Sequence, residues 1–267
     1  MVLRLDVQHD LLVKVSRNTL IHPSIPTGKV VSIADIATGT GIWLRDLSRS
    51  LSEVPGVQRY YHGFDISSAQ FPPADDSIKF SVHDITVPFP EEHWNRYDLV
   101  HVRLLVAALA EPDYRAAVAN IYQLLKPGGY MQWEEIDEET YIADNVAFQE
   151  IRRCFNLGLK AEGKYFQASA KVYHESQSAG FRDVVRVEYS SHWDAGLRPS
   201  TEQRFVAIIG TLYTSLLLRS AQVPDEEAAS KKGEELIERF RQLCAQGESP
   251  PVKLMRVVGQ KPLHEVV

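Results

Sequence analysis

The sequence predicts an α/β protein built on one mostly parallel β-sheet. Two observations lead to this class. In the first half of the chain, short runs of β-branched and aromatic residues alternate with segments whose apolar residues recur at helical spacing. That alternation is typical of βαβ units, whose parallel strands are buried on both faces. The length of 267 residues fits one such domain with an insertion. A separate second domain remains an open alternative.

The predicted elements follow one another with clear boundaries. Strands are predicted at residues 29–36, 57–64, 78–82, 97–102, 130–136, 182–193 and 252–259. Helices are predicted at residues 42–51, 113–125, 145–160, 167–179 and 200–246, the last with a break near residues 222–224. Helix 113–125 follows Pro112, which suits a first turn, and precedes Pro127, which cannot continue a helix. The second half of the chain therefore adds helices and two strands to the sheet, with a helical insertion between those strands.

Composition excludes several classes of function. The net charge is −6 and no cluster of Lys and Arg occurs, so we expect no nucleic-acid partner. The most apolar stretch, residues 205–218, is shorter than the roughly 20 residues that cross a bilayer, so we expect no membrane partner. Residues 1–10 lack the apolar centre of a signal peptide, and Cys154 and Cys244 suit a reducing compartment, although a single disulfide is an alternative. We expect a cytoplasmic protein.

The strongest motif is the turn after the first predicted strand. Residues 35–43 read DIATGTGIW, in which a strand ends on Asp35 and glycines let backbone amides approach a ligand. A dinucleotide site needs a third glycine where this chain has Leu44, and no Gly-Lys-Ser/Thr follows for a P-loop. Asp65 lies at the end of the second strand, 24 residues after Gly41, where a carboxylate can accept ribose hydroxyls. The pattern favours a nucleoside without phosphate groups.

Four segments together resemble one family. Residues 35–43, 65–67 (DIS), 83–85 (HDI) and 124–133 (LLKPGGYMQW) are similar to the class I S-adenosylmethionine-dependent methyltransferases. The amino-acid sequence of residues 37–43, together with Gln8-His9 and residues 20–26, resembles that of the small-molecule methyltransferases of fungal secondary metabolism. The resemblance implies a Rossmann-like sheet of seven strands with helices on both faces and an antiparallel last strand. It also implies S-adenosylmethionine as cofactor and a small-molecule acceptor as partner.

The resemblance implies a role for each matching residue. Ala37, Gly39 and Gly41 would form the turn under the methionine part of the cofactor, and Asp35 would face its ammonium group directly or through water. Asp65 would bind the ribose, and Ile66, Asp84 and Ile85 would contact the adenine. Val102 and Arg103 would lie near the methyl group. The family's usual first glycine is Ala37 in this chain.

The chain is expected to divide into segments within one domain. These are an N-terminal lid segment (1–28), a cofactor-binding core (29–137), helices and a strand that complete the sheet (138–198), a helical insertion that covers the acceptor (199–251), and a last strand with a tail (252–267). The lid segment contains His9 and His22.

Candidate general bases lie near predicted strand ends, where ligands bind in open α/β sheets. They are His101, Glu134 or Glu135, and His192. A hydrogen-bonded core histidine is the alternative for His101, and a salt-bridging role is the alternative for the two glutamates. No two histidines have metal-ligand spacing, so we expect a metal-independent reaction.

We expect methyl transfer to an oxygen or nitrogen of a small natural product. The alternative is a protein that binds S-adenosylmethionine without methyl transfer, either as a cyclisation or pericyclic catalyst or as a regulatory partner of the velvet type.

Overall fold

The computed structural model describes residues 2–51, 56–73, 77–141 and 145–263. Its strands form one seven-stranded sheet in the order β3-β2-β1-β4-β5-β7-β6. The strands are β1 (Ser32–Ile36), β2 (Tyr60–Asp65), β3 (Lys79–Val82), β4 (Tyr97–Arg103), β5 (Leu125–Glu135), β6 (Arg182–Ser190) and β7 (Lys253–Gln260). Strands β1 to β5 run parallel, whereas β7 is antiparallel to both β5 and β6. The predicted fold class is confirmed.

Helices cover both faces of this sheet. They are α1 (Val2–Val15), α2 (Ile42–Ser50), α3 (Asp113–Leu124), α4 (Val146–Ala161), α5 (Ala168–Ser178), α6 (Arg198–Ile208), α7 (Thr214–Arg219) and α8 (Glu226–Ala245). A π-helical stretch, Ile209–Tyr213, joins α6 to α7 without a break. None of the helices in the described ranges is long and apolar enough to cross a membrane.

Several predicted boundaries differ from the structure, and three of them have a clear cause. Residues 27–29 form a 3₁₀ turn, so β1 begins at Ser32 rather than at residue 29. Strand β5 begins at Leu125 and includes Gly128 and Gly129, because both pair with the backbone of Lys261 after β7. Residues 191–193 form a 3₁₀ turn in place of the predicted end of β6. In each case a backbone hydrogen bond overrides the local pattern.

The two faces of the sheet bury separate cores. Ile33 and Leu99 pack with Trp43 of α2 on one face, and Val100 and Met131 pack with α3 and α5 on the other. This separation follows from the alternation of side chains along each strand. We call the face that carries Ile33 and Leu99 the first face of the sheet.

A third core lies within the helical part of the chain. Leu12 and Val15 of α1 pack there with Phe148 of α4, Phe205 of α6 and Phe240 of α8. Helix α1 is thus fixed to the helical insertion by its apolar side, while its other residues approach the ends of β1 and β4. The carboxyl ends of the central strands are therefore covered by the N-terminal helix.

Candidate active site

The turn between β1 and α2 has a left-handed backbone at three alternate residues. The φ angles are +58° at Ala37, +55° at Gly39 and +70° at Gly41. At Gly41 an added Cβ would lie 2.5 Å from the ring of Phe80, so a larger residue would force that ring to move as well as strain the backbone. Ala37 adopts the same backbone region with a Cβ, which costs roughly 1–2 kcal/mol. The turn curls tightly at the carboxyl end of β1, as the sequence predicts.

Asp35 fastens this turn to the sheet. One carboxylate oxygen accepts from the Thr38 hydroxyl at 2.7 Å, and the other lies 2.7 Å from Nδ1 of His101. The side chain is 3% exposed. The structure therefore shows Asp35 engaged with the protein on both oxygens, and its predicted contact with the ammonium group stays a prediction.

Asp65 lies at the end of β2 and meets the same turn. Its Oδ2 accepts from the backbone N–H of Gly39 at 2.9 Å, and its Oδ1 accepts from that of Ser67 at 3.2 Å. Each carboxylate oxygen has a second lone pair for a ligand hydroxyl. Ile66, the next residue, is 70% exposed. The pair presents acceptors beside an apolar side chain, which is what a ribose and its base require.

The loop after β3 lies at the same end of the sheet as Asp65 and Ile66. Asp84 accepts from both the N–H and the hydroxyl of Thr86 through Oδ1, so its Oδ2 has capacity for a ligand. The carbonyl of Ile85 accepts from the Asn120 amide at 2.7 Å, and the Ile85 side chain is buried. Asp84 and Ile66 are thus both on loops at the carboxyl ends of neighbouring strands.

A buried polar cluster lies on the first face of the sheet next to the turn. His101 stacks flat on Trp43, with ring centroids 3.7 Å apart, and is fully buried between Asp35 and Glu134. Oε1 of Glu134 accepts from Nε of Arg256 at 2.7 Å and lies 2.6 Å from its Nη2 in an ion pair. Burial opposes the charge of Glu134, but Arg256 and then His101 outweigh it and hold the pKa of that carboxyl well below its usual range.

The cluster extends to the N-terminal segment. Arg256 donates to the carbonyl of Thr19 at 2.8 Å. Gln132 on β5 accepts from the N–H of His22 and donates to the carbonyl of Leu20, both at 2.8 Å. Polar contacts therefore link residues 19–22 to β5 and β7.

Arg103 stands at the end of β4 and contacts α1. Its Nη1 donates to Nδ1 of His9 at 3.2 Å, and Nε2 of His9 lies 3.1 Å from the Asp46 carboxylate on α2. Burial and then Arg103 lower the pKa of His9, against the pull of Asp46. Asp6 of α1 accepts from the Thr40 hydroxyl at 2.9 Å. Asp6 and His9 of α1 thus make polar contacts with the site.

The remaining predicted residues lie elsewhere. Val102 is fully buried on the second face of the sheet, so its side chain packs in the core. Glu135 points away from Glu134 and accepts from three N–H groups, those of Leu105, Val106 and the Trp133 indole. Burial raises the pKa of Glu135 to about 8, although these donors act in the opposite direction.

His192 lies on an exposed turn after β6. Its Nε2 is 3.1 Å from the carbonyl of Ser249, and none of its hydrogen bonds in the described ranges joins it to the cluster around His101. Of the candidate bases, the structure brings His101 and Glu134 together and leaves Glu135 and His192 apart. Their catalytic roles stay predictions.

Sequence reasoning did not find Arg256, Gln132 or the contact between His9 and Arg103. A signal for Arg256 was available, because an arginine within the apolar strand KLMRVV must be paired if that strand is buried. Gln132 and Glu134 could have been grouped by their two-residue spacing, which places them on one face. Their partners could not be identified from local pattern.

Comparisons with known proteins agree with this geometry. Residues 33–129 match the model of a methyltransferase domain. The chain is 46% identical over 158 residues to the methyltransferase grgD of a Penicillium species, covering 58% of this chain and 55% of that protein. It is 35% identical over 179 residues to the methyltransferase psoC of Aspergillus fumigatus, covering 67% and 58%. Residues 33–129 of this chain thus resemble a methyltransferase domain, and the sheet order agrees with that resemblance.

Other matches show the reach of this relationship. The N-methyltransferase sirN of Leptosphaeria maculans is 35% identical over 130 residues, covering 48% of this chain and 44% of that protein. The phosphoethanolamine N-methyltransferase 2 of Haemonchus contortus, solved with S-adenosyl-L-methionine, shares the fold at a TM-score of 0.52 and 16% identity, covering 87% and 49%. The chain spans about half the length of the curated relatives it matches.

The match to a methyltransferase domain indicates S-adenosylmethionine as the cofactor, and the residues present fit that group. Asp65 and Asp84 offer carboxylate oxygens with spare lone pairs, and Ile66 offers an exposed apolar surface next to them. Nε2 of His101 is a buried polar atom without a hydrogen-bond partner beside the turn. These groups suit a cation that has a ribose and lacks phosphates.

Proposed function

We propose that this protein transfers the methyl group of S-adenosylmethionine to an oxygen or nitrogen atom of a small natural-product acceptor. The observation that carries the proposal is the junction of Asp65, Gly39 and Ile66, which puts ribose acceptors and an apolar surface next to the glycine turn. The relatives named as methyltransferases support it, and the N-methyltransferases sirN and gliN among them favour nitrogen. The two free, buried cysteines favour the cytoplasm.

The chain's own residues would bind and orient the reactants. S-adenosylmethionine supplies an electrophilic methyl group on a sulfonium that is already a good leaving group. Asp65 binds the ribose, and Asp35 keeps the turn in place through Thr38 and His101. Leu5 of α1 lies 3.1 Å from where a Cβ of Gly39 would be, so α1 covers the turn and limits access of water. Holding reactants in line contributes effective molarities of about 10⁵ M or more.

The test is the affinity for S-adenosylhomocysteine, measured by isothermal titration calorimetry on the wild type and on Asp65→Asn. A charge-assisted hydrogen bond contributes about 1.5–3 kcal/mol, so we expect Asp65→Asn to weaken binding by about 10- to 100-fold. Asp183→Asn on the exposed edge strand β6 removes an equal charge and should leave the affinity unchanged. Equal affinities of all three proteins would refute the assignment.

A second measurement separates methyl transfer from binding alone. Incubation with S-adenosylmethionine and a panel of phenols, amines and cyclic dipeptides should release S-adenosylhomocysteine. Cofactor that binds and is never consumed would favour the alternative, a binding protein without transfer. The similarity to the secondary metabolism regulator laeA of Coprinopsis cinerea, 27% identical over 119 residues, keeps that alternative in view.

A further inference from the structure

The buried carboxylate of Glu135 holds the start of the loop between β4 and α3. Its Oε1 accepts from the backbone N–H of Leu105 at 2.9 Å and from the Trp133 indole at 2.7 Å, and its Oε2 accepts from the N–H of Val106 at 3.2 Å. All three partners are N–H donors. This arrangement suits a carboxylate anion, because a neutral carboxyl has an O–H of its own to place.

The backbone of this loop is strained where it leaves β4. Leu104 has a left-handed φ of +63°, a conformation that disfavours any residue with a Cβ. Its N–H donates to the carbonyl of Glu134 at 2.9 Å, and the next two N–H groups of the chain, those of Leu105 and Val106, go to Glu135. A strained residue persists where the surrounding contacts hold it. The bonds to Glu135 therefore help to hold Leu104 in this conformation.

The same loop faces the helical part of the chain. The side chains of Leu104 and Val106 are partly buried against the core that α1 shares with the helical insertion. Arg103, directly before the loop, donates to His9 of α1. The loop therefore lies between the end of β4 and the helices that we expect to cover the acceptor. Its part in the acceptor site rests on the proposed function.

A buried hydroxyl without a partner lies beside this carboxylate. Tyr114, in the first turn of α3, is fully buried, and its Oη has no hydrogen-bond partner in the described part of the chain. The ring of Tyr114 lies 5.9 Å from that of Trp133, measured between centroids. Burial and then the charge of Glu135 raise the pKa of Tyr114 well above its usual range, and Asp137 has a smaller effect. The phenol is thus close enough to feel Glu135 but is not bonded to it.

Each protonation state of Glu135 leaves one neighbouring group unpaired. The anion binds both loop amides and leaves the Tyr114 hydroxyl without a partner, as in this structure. A neutral carboxyl can donate its proton to Oη of Tyr114, but an O–H on Oε2 opposes the N–H of Val106. A buried polar group without a partner is costly in either state, so the two costs oppose each other. Burial raises the pKa of Glu135 to about 8, so both states are populated near neutral pH.

We propose that Glu135 is a positioning residue for the acceptor side of the site. Its anion holds the loop after β4 in the shape seen here, and its neutral form turns to the hydroxyl of Tyr114 and releases the N–H of Val106. The proton comes from solvent and resides on Oε2. Asp137 is the other carboxylate that acts on Glu135, and it opposes the anion. The loop itself, residues 104–110 (LLVAALA), has no charged side chain.

The test follows the indole N–H of Trp133 by NMR of the full chain between about pH 6 and about pH 9.5. Trp133→Phe assigns the signal. In the wild type we expect its chemical shift to change with a midpoint at about pH 8. The protection of the Val106 amide against hydrogen exchange should rise through the same midpoint, because the anion binds this amide. In Glu135→Gln both pH dependences should vanish.

Tyr114→Phe distinguishes this switch from an ordinary buried acid. The variant removes the acceptor of the neutral carboxyl, so the midpoint should fall by about 0.5–1 pH unit, the equivalent of one neutral hydrogen bond. If the hydroxyl acted only as a polar neighbour, its removal would desolvate the anion further and raise the midpoint. The matched control is Tyr122→Phe on the same helix, where the ring contacts Lys261. It should leave the midpoint unchanged.

A pH profile of turnover tests the connection to the reaction. With the acceptor that the panel identifies, turnover of the wild type should rise through the midpoint seen by NMR. The acceptor's own ionisation also affects such a profile, but it cannot respond to a substitution at Tyr114. The profile of Tyr114→Phe should therefore shift by the same amount as its NMR midpoint, and an unshifted profile would overturn the positioning role.

Three NMR results would overturn the proposal. These are a Trp133 signal independent of pH in the wild type, a midpoint in Tyr114→Phe that equals or exceeds that of the wild type, and Val106 protection that does not follow the midpoint. If Glu135→Gln does not fold, Tyr114→Phe decides alone, because it keeps the ring and loses an oxygen that has no partner.

Calorimetric titration with S-adenosylhomocysteine separates this proposal from the proposed function. Nucleoside binding without the pH-dependent change of Trp133 and Val106 would overturn the positioning role alone. The pH-dependent change without nucleoside binding would refute the proposed function, and with it the role of the loop beside an acceptor.

Discussion

Replacement of Arg256 by methionine tests whether the pair with Glu134 governs the stability of the site. Arg256 is 1% exposed and reaches Glu134 with two nitrogens at 2.7 and 2.6 Å. It also lies 4.8 Å from the ring centroid of Tyr189 and donates to the carbonyl of Thr19. Methionine fills similar space with an apolar chain. The substitution therefore removes the counter-charge and leaves the carboxylate of Glu134 buried.

The cost follows from that uncompensated charge. Breaking a buried ion pair by removal of one partner costs about 3–5 kcal/mol in the free energy of unfolding at pH 7. The matched control is Arg239→Met, because Arg239 pairs with Glu150 at the same 2.6 Å but with the two side chains 45% and 34% exposed. An exposed pair contributes less than about 1 kcal/mol. Removal of both buried partners, in Arg256→Met with Glu134→Leu, should cost less than Arg256→Met alone.

The effect of Arg256→Met on the free energy of unfolding should depend on pH in a known direction. In the wild type the pKa of Glu134 lies below its unfolded value, so its favourable contribution is complete above about pH 4.3 and is lost as the pH falls. Without Arg256, burial raises the pKa of Glu134, so the carboxyl takes up a proton as the pH falls. The difference between wild type and Arg256→Met should therefore shrink from pH 7 to pH 4. Urea unfolding across this range measures it. A loss no larger than that of Arg239→Met, or a difference independent of pH, would refute the reasoning.

Three further substitutions test single features of the structure. Ala37→Gly relieves the left-handed backbone and should stabilise the protein by about 0.5–1 kcal/mol in thermal unfolding, whereas Ala179→Gly, at an ordinary right-handed position, should destabilise it. Burial lowers the pKa of His62 to about 3, so this residue alone should cost the folded protein about 2 kcal/mol between pH 7 and pH 5. His62→Gln should remove that part of the loss, and the exposed His174→Gln should not. Because the pKa of Glu135 is raised to about 8, the wild type should lose stability relative to Glu135→Gln as the pH rises from 5 to 8, and parallel pH profiles would contradict that burial effect.

The sheet and the turn could be predicted because their signals are local. A strand of five residues, a run of small residues and a helix lie within 20 residues of one another, and each is specified by its own pattern. The place of Asp65 next to Gly39 follows from the rule that the carboxyl ends of parallel strands share one edge. Chain order and side-chain alternation were sufficient for both.

The buried cluster could not be predicted because its partners are distant in sequence. Glu134 and Arg256 are 122 residues apart, and only the insertion of β7 between β5 and β6 makes them neighbours. The contact of His9 with Arg103 spans 94 residues and depends on how α1 packs on the helical core. Such contacts arise from tertiary packing, which no period in the sequence encodes.

Two adjacent glutamates on β5 have opposite pKa shifts because they pack on opposite faces of the sheet. Glu134 faces Arg256 and is held as an anion, whereas Glu135 faces the second core and has its pKa raised toward neutrality. A carboxylate with a depressed pKa is a poor base but a good partner for a cation, so Glu134 is suited to orient a positive group rather than to remove a proton. Glu135 has the pKa of a base, but its oxygens bind the backbone of Leu105 and Val106. Because methyl transfer from a sulfonium depends chiefly on alignment, the anion at Glu134 matches the needs of the reaction better than the base at Glu135.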